Sequence, residues 1–482
     1  MRRLATCWAI GFLMAPVLFA QGTSNPAISG PKTNRPFEPS PPLEPLPVNP
    51  SGVPGDVSSP ATLPSPPINS REITTETAPV EIVEGNISAS SLSEFEAVAI
   101  ENHPEIQAAR QAVASARGRA IQAGLYPNPY FQGGAIQWGG QETFWGANFA
   151  QEIVVARKLY LQRQAEYQAV RQAEQDLSRV RYQVLRDVRA GFYVTLALQI
   201  RVDALSQLVK IAQKSFESGQ RLKMGGEGTL TDELQLKIQF RRAMAGLAAA
   251  DAQFKAGKNS LAALTGVPDL QIDRLEGSLS DSLPDMEYPL VRAGMLADNA
   301  NIRRAAIEIN RRRYILRRAV VQPIPNPSIQ AGYQYYVGGY GNGSALGTQN
   351  LPLLMVTFPV PVFDRNQGAI REARAEVSRA SLLLRDTQND LSARAADAIG
   401  RLNASSELVK EYEKEILPAA KQTVELAQAA YQGGQFSLLQ LLQAQRDLVD
   451  AYLGSIDAQS QRWVAAVDIA QLLQVDTFPP AP

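Results

Sequence analysis

The side chains that most often perform catalysis and metal binding are nearly absent from this sequence. It contains one histidine, His103, and one cysteine, Cys7. Imidazole acid–base chemistry and histidine-rich metal sites therefore have almost nothing to use. His103 directly precedes a proline that suits a helix start, so a capping or surface role is favoured over a catalytic one. The sequence also lacks a phosphate-binding loop, a dinucleotide fingerprint and a metal-ligand cluster, which predicts no cofactor, no metal and no enzymatic activity.

Carboxylates and amides remain, and the most distinctive group of them surrounds two Gly-Gly turns. The first turn reads GGEGTLTDELQ from Gly225, and the second reads GGQFSLLQLLQ from Gly433. Thr229 and Asp232 of the first turn have the spacing of a helix cap. That spacing leaves a further role for the Asp232 carboxylate open.

The two turns belong to a longer internal duplication. Arg157 corresponds to Arg365 and Leu264 to Leu472, and each pair is separated by 208 residues, as are the two Gly-Gly turns. One offset that holds over more than 100 residues predicts helices of matched length, and hence a tandem duplication.

The N-terminal residues lie outside the duplication. Two arginines precede an apolar run from Leu4 to Ala20, which predicts a signal peptide, since the run is shorter than the roughly 20 residues of a membrane-spanning helix. Fourteen of the 32 prolines lie between Pro26 and Pro67, which predicts an extended tether. The expected division is a signal peptide over residues 1–20, a tether over 21–90, a first repeat over 91–285, a second repeat over 286–476 and a tail over 477–482.

Each repeat has the pattern of two helices, a strand hairpin and a long helical hairpin. Pro-Asn-Pro at residues 127–129 and 325–327 should end a helix and begin extended chain. No proline occurs in residues 157–224, and apolar residues recur there at steps of three and four, which predicts one helix about 100 Å long. The equivalent residues 365–432 contain Pro418, where we expect a kink.

Helix starts are also marked in the sequence. Ser93 and Glu96 have the spacing of a capping box, which predicts the beginning of the first helix after the tether. Pro104 suits the first position of the next helix, because a residue there needs no intrahelical partner for its N–H. We therefore expect two consecutive helices that end near Ala123.

The strand hairpins distinguish a membrane protein from a simple coiled coil. The stretch SIQAGYQYYVG alternates with a period of two. One side should carry Ile329, Ala331, Tyr333, Tyr335 and Val337, and the other side Ser328, Gln330, Gly332, Gln334 and Tyr336. This alternation, with aromatic residues near the loops, is typical of a membrane β-barrel, although a half-buried soluble sheet shares it. Four strands cannot close a barrel, and open edges are not tolerated in lipid. A membrane sheet therefore predicts an oligomer.

Duplicated strand hairpins joined to long helical hairpins resemble the TolC family of outer-membrane efflux proteins, over roughly residues 92–475. The most specific match is YQGGQFSLLQLLQAQRDLVDAY from Tyr431, and FPVPVFDRNQGAIREARAE from Phe358 resembles the Czc-type cation efflux branch. The resemblance implies an α+β membrane protein. In this family, a homotrimer forms a 12-stranded β-barrel in outer-membrane lipid, with four strands from each chain. A long α-helical barrel extends from the β-barrel into the periplasm.

The resemblance also implies a function and partners. The chain would be the outer-membrane exit duct of a tripartite efflux system, passively conducting metal cations or small toxic molecules from a periplasmic adaptor and an inner-membrane pump. The alternative is an exported structural or adhesive coiled-coil protein without a pore. A third reading, the periplasmic adaptor itself, is disfavoured by the duplication. The formal net charge is zero, which predicts no nucleic-acid partner.

In the family, the Gly-Gly turns form a periplasmic tip that contacts the adaptor and closes the idle pore. Tyr431 matches a family tyrosine, but Phe436 stands at the family's arginine position, and Gln440 and Gln443 stand at its aspartate positions. We therefore expect an amide and apolar constriction in place of arginine–carboxylate pairs. In a trimer, Asp232 would add a ring of three carboxylates, and such rings favour cations, although Asp232 has the spacing of a capping residue as well. The expected constriction residues are Asp232, Tyr431, Phe436, Gln440 and Gln443, and the expected adaptor contacts are Gly225, Gly226, Glu227, Gly433, Gly434 and Gln435.

Overall fold

The computed structural model describes residues 90–137, 142–226, 228–284, 286–338, 347–432 and 435–478. The predicted signal peptide, all of the predicted tether except Ser90, and the last four residues of the predicted tail lie outside these ranges, as do Glu227, Gly433 and Gly434. Within the described ranges the chain is mostly helical and has one four-stranded antiparallel sheet.

The same order of elements occurs twice along the chain. The first half contains α1 Leu92–Asn102, α2 Pro104–Gln122, β1 Tyr130–Gln137, β2 Glu142–Glu152, α3 Lys158–Met224 and α4 Leu230–Leu264. The second half contains α5 Tyr288–Asp298, α6 Ala300–Val321, β3 Ser328–Gly338, β4 Gly347–Thr357, α7 Gln367–Glu411, α8 Leu417–Gln432 and α9 Leu438–Leu473. A π-helical turn, Tyr412–Ile416, connects α7 to α8.

The first helix begins earlier than the sequence suggests. Ser91 is the N-cap of α1, and Glu94 completes the capping box by accepting a hydrogen bond from the backbone N of Ser91 at 3.3 Å. The predicted capping pair, Ser93 and Glu96, is therefore wrong. The reason is tertiary, because the Glu96 carboxylate binds the guanidinium of Arg189 at 2.6 Å.

Two prolines lie where the helical backbone begins or changes. Pro104 is the first residue of α2, and His103 caps that helix through its Nδ1, which accepts a backbone hydrogen bond at 3.2 Å. Pro418 follows the π-helical turn, in which the backbone N of Leu417 donates to the O of Tyr412. Proline lacks the N–H for an ordinary helical hydrogen bond, so the wider turn adjusts the backbone ladder where Pro418 interrupts it.

The core lies where the helices of the two halves meet. Tyr193 of α3 stacks on Trp463 of α9 with ring centroids 4.3 Å apart, and Trp463 Nε1 donates to the O of Leu279 at 2.9 Å. A second buried cluster joins α5, α7 and α9 around Met295 and Ile469. Because α9 contributes to both clusters, it holds the first half against the second.

One buried arginine connects α1, α3 and the segment after α9. Arg189 is only 2% exposed, and its Nε donates to Glu96 Oε1 at 2.6 Å. Its terminal nitrogens donate to the carbonyl oxygens of Val475 and Asp476, at 3.2 and 2.7 Å. The guanidinium also lies over the Phe478 ring, 5.3 Å from its centroid. A single side chain of α3 therefore binds groups from two other segments of the chain.

Replacing Arg189 with methionine should leave Glu96 unpaired in a largely buried position. Breaking a buried ion pair from one side costs about 3–5 kcal/mol, whereas replacing both partners with apolar residues is often nearly neutral. We expect R189M to lower the apparent melting temperature of the purified protein, and the double variant R189M/E96L to recover part of the loss. R385M changes an exposed arginine and serves as the control. A melting temperature of R189M equal to that of the parent would contradict the role assigned to Arg189.

Candidate functional site

The register of the sheet separates an apolar face from a polar face. The strand order is β1–β2–β3–β4 with antiparallel neighbours, so directly paired residues point to the same side. One face carries three of the residues predicted to face the membrane, Ile329, Tyr333 and Tyr335. The structure does not describe the side chain of the fourth, Val337. That face, named the apolar face, also carries Phe131, Ala135, Trp145, Ala147, Phe149, Ala331, Pro352, Leu354 and Val356.

The opposite face, named the polar face, carries most of the amide side chains of the sheet. Its polar members include Gln132, Asn148, Glu152, Ser328, Gln330, Gln334, Gln349 and Thr357, and β4 adds Leu351, Leu353 and Met355 to the same side. Two amides, Gln151 and Asn350, lie on the apolar face. On the apolar face, aromatic rings pair across strands, with Phe131 5.2 Å from Phe149 and Trp145 5.4 Å from Tyr335 between centroids. The outer strands β1 and β4 each have one neighbour in the described part of the chain.

In those ranges none of the helices combines the length and apolar character needed to cross a membrane.

A polar network, which local sequence patterns did not indicate, fixes the passage from the sheet into α3. Lys158 is 2% exposed, and its Nζ donates to the O of Ile324 and, at 2.8 Å, to Asn326 Oδ1. Asn326 Nδ2 in turn donates to Glu152 Oε1 at 2.6 Å. Burial of the ammonium group lowers the pKa of Lys158, and the charge of Arg318 acts in the same direction. The asparagine of the second Pro-Asn-Pro thus joins the end of β2 to the start of α3.

The two Gly-Gly turns are followed by the same capping box, once with a carboxylate and once with an amide. At the start of α4, Asp232 Oδ2 accepts from the Thr229 hydroxyl at 2.7 Å, and the Asp232 backbone N donates to Thr229 Oγ1 at 3.1 Å. At the start of α9, Gln440 Oε1 accepts from the Ser437 backbone N at 2.9 Å. The capping role left open for Asp232 is therefore observed, and Asp232 is half-buried.

The other residues predicted for the constriction lie around the second turn. Tyr431 packs against buried residues of α9, and Phe436 is 43% exposed. The Nε2 of Gln443 donates to a carboxylate one helical turn later, at 2.8 Å. Leu236 of α4 is buried against Leu438 of α9. The structure therefore brings the beginnings of the two returning helices together.

Both turns are closed by backbone hydrogen bonds and one ion pair. In the first turn, Gly226 has φ +81°, a conformation that favours glycine. At the second turn, the backbone N of Gln435 donates to the O of Ala430 at 2.8 Å. Lys223 Nζ lies 2.5 Å from Glu233 Oε2 across the first hairpin, and this hydrogen bond lowers the pKa of Glu233. Of the predicted adaptor contacts, Gly225, Gly226 and Gln435 lie at these chain reversals.

The polar side chains near the two Gly-Gly turns are not arranged as ligands for a metal ion. Asp232, Gln440 and Gln443 each make a local hydrogen bond on their own helix. Across the described ranges, no three histidine, cysteine, aspartate or glutamate side chains are grouped to hold a metal ion. Groups of this kind can interact with a passing solute but have no arrangement for acid–base or nucleophilic catalysis.

Comparison with known proteins decides the family. The family described as Outer membrane efflux protein matches residues 97–267 and 293–474, which is most of the chain. The chain belongs to this family. Its members are passive channels of the outer membrane rather than enzymes, so the resemblance inferred from the strand and helix pattern is confirmed.

Individual relatives agree with this assignment. The cobalt-zinc-cadmium resistance protein CzcC of Cupriavidus metallidurans is 24% identical over 301 residues, which are 62% of this chain and 70% of CzcC. The crystal structure of CusC matches with a TM-score of 0.69 and 17% identity, over 79% of this chain and 91% of that chain. VceC of Vibrio cholerae matches with a TM-score of 0.65 and 18% identity, over 80% and 96%. The fold is therefore that of the outer-membrane efflux channels.

Removing the capping hydroxyls should loosen each turn separately. Loss of an N-cap side chain costs about 1 kcal/mol, which corresponds to roughly five-fold more frequent local opening. We expect Thr229→Ala to accelerate amide hydrogen exchange in residues 229–236 only, and Ser437→Ala in residues 437–444 only. Thr423→Ala removes a hydroxyl that bonds within α8 and should change neither segment. Unchanged exchange in both cap variants would show that these hydroxyls do not hold the turns.

Proposed function

We propose that this chain is the outer-membrane exit duct of a tripartite efflux system. The apolar face of the sheet carries the proposal, because an apolar face bounded by open edges can enter lipid only when its edges pair with other chains. In a homotrimer, three copies of the four-stranded sheet form a 12-stranded barrel. Ile329, Tyr333, Tyr335 and Val337 face the outer-membrane lipid, and the polar face lines the lumen.

The helical hairpins extend from this barrel into the periplasm. The 67 residues of α3 span about 100 Å at 1.5 Å per residue, which is long enough to place the Gly-Gly turns far from the membrane. There the turns contact a periplasmic adaptor, which links the duct to an inner-membrane pump. A signal peptide over residues 1–20 directs export, a tether over 21–90 precedes the two repeats over 91–285 and 286–476, and residues 477–482 form the tail.

Metal cations are the cargo that the observations favour. The relative CzcC is named for resistance to cobalt, zinc and cadmium, and the half-buried Asp232 places one carboxylate per chain beside the first Gly-Gly turn. Three copies of Asp232 form an acidic ring that favours cations. Tyr431, Phe436, Gln440 and Gln443 complete the constriction with apolar and amide groups.

Two neighbouring leucines of β4 test the membrane-facing assignment. Leu354 lies on the apolar face and Leu353 on the polar face, so each serves as the control for the other. An arginine facing the bilayer midplane costs about 2–4 kcal/mol, whereas a lumen position tolerates it. We expect L354R, but not L353R, to reduce the heat-dissociable trimer extracted from outer membranes and seen in unheated electrophoresis. Equal trimer yields would contradict the assignment, and a monomer found in the soluble periplasm would favour the coiled-coil alternative.

Asp232→Asn separates the charge of this residue from its capping role. The asparagine oxygen can still accept the capping hydrogen bond, as the Gln440 amide does in the equivalent turn. We expect the variant to form trimers normally and to lose cation preference, measured as the potassium-to-chloride permeability ratio in a planar bilayer. Asp269→Asn, in the exposed loop after α4, should leave the ratio unchanged. An unchanged ratio in D232N would remove the acidic ring from the proposal while leaving the duct.

A further inference from the structure

Close to the strand ends, α3 and α6 enclose an open groove of about 620 Å³ with basic, aromatic and aliphatic walls. Arg157 and Tyr160 line it from the start of α3, and Tyr314, Arg317 and Val320 line it from the last turns of α6. Tyr160 is 53% exposed and Val320 is 50% exposed, so the groove is accessible in the chain. We name it the α3–α6 groove.

The arginines of the α3–α6 groove have no acidic partner in the described part of the chain. The Arg157 side chain makes no hydrogen bond or ion pair there. The Arg317 guanidinium lies 5.7 Å from the centroid of the Tyr314 ring. Arg313, one turn earlier on the same side of α6, donates to an asparagine side chain at 3.4 Å. Arg312, by contrast, pairs with two carboxylates. The groove therefore presents uncompensated positive charge, which favours an anionic occupant.

The α3–α6 groove lies on the same side as the apolar face of the sheet. Lys158 shares a cavity with Glu152, Ser328 and Thr357, which all belong to the polar side of the sheet by register. Tyr160 follows Lys158 by two residues, which is about 200° around the helix. Its side chain therefore leaves α3 on the opposite side. The groove continues the apolar face at the level where the strands end and the helices begin.

We infer that the α3–α6 groove binds the phosphate of an anionic phospholipid in the leaflet next to the helical part. The guanidinium groups of Arg157 and Arg317 donate charge-assisted hydrogen bonds to the phosphate oxygens. Tyr160 and Tyr314 occupy the headgroup level, where amphipathic rings are favoured, and Val320 contacts the first acyl carbons. This inference rests on the proposed placement in the outer membrane.

A second copy of the chain fits the α3–α6 groove less well than a lipid. The α3 helix packs between α2 and α6, and it continues from β2, which is an inner strand of the sheet. Copies of the chain must join at β1 and β4, because those strands have the open edges. The groove is therefore in the middle of one chain, away from the edges where oligomer contacts have to form.

Native mass spectrometry of the full-length purified protein tests the inference. The protein is titrated with phosphatidylglycerol and, separately, with phosphatidylcholine of the same acyl chains. We expect preferential binding of phosphatidylglycerol. Each basic residue near an anionic headgroup contributes roughly a five-fold factor, so R157Q/R317Q should weaken that binding about 25-fold and each single variant about five-fold. R385Q, an exposed arginine about 27 Å along α7 from its start, should bind as the parent does.

Three results would overturn the lipid site. They are equal binding of the two lipids, undiminished binding by R157Q/R317Q, and full displacement of phosphatidylglycerol by millimolar inorganic phosphate, which would indicate a site for free anions. The heat-dissociable trimer is measured on the same samples. Loss of lipid preference with an intact trimer contradicts only the lipid site, whereas a parent protein that forms no trimer in outer membranes contradicts the proposed function.

Discussion

The open edges of an apolar sheet are the constraint on which the rest of this structure depends. Backbone N–H and C=O groups of β1 and β4 have no neighbouring strand on their outer sides within the residues that the structure describes. Unpaired backbone N–H and C=O groups have a high free energy in hydrocarbon. The apolar face can therefore lie in lipid only when another chain pairs with the edge strands. Each strand must also pass into a helix that fits beside its neighbours. The Lys158–Asn326 contact joins the two halves at such a passage, where β2 is followed by α3.

Most of the fold follows from periodicity and from the positions of proline. The α3 helix runs without interruption from Lys158 to Met224 because no proline occurs within it, and a π-helical turn lies directly before Leu417 and Pro418. The start of α1 was predicted wrongly for a physical reason. The segment SLSEFE offers two serine–glutamate pairs with the same spacing, and only the ion pair of Glu96 with Arg189, 93 residues away, leaves Glu94 as the capping residue.

The candidate site was predictable as a set of positions but not as a set of interactions. The sequence marked Asp232 and Gln440 through the constant offset between the repeats, whereas the observed geometry shows that both complete a capping box. The Lys158–Asn326 contact joins residues 168 positions apart, and no local pattern predicts a contact over that separation. Which side of a helix faces a pore depends on how several chains assemble. Periodicity within one chain predicts the apolar and polar faces of a helix, but it does not predict which face lines a lumen.

Equivalent positions of the two repeats share hydrogen-bond geometry and differ in charge. A cap requires an acceptor oxygen, which the carboxylate of Asp232 and the amide of Gln440 both provide. At the strand-to-helix passages, the ammonium of Lys158 and the amide of Asn366 both donate to backbone carbonyls near the end of α6. The fold thus needs the donor or the acceptor at each position but not its charge. A charge that the fold does not require is therefore free to serve the proposed contacts outside the chain, with solute at the tip or with lipid at the sheet.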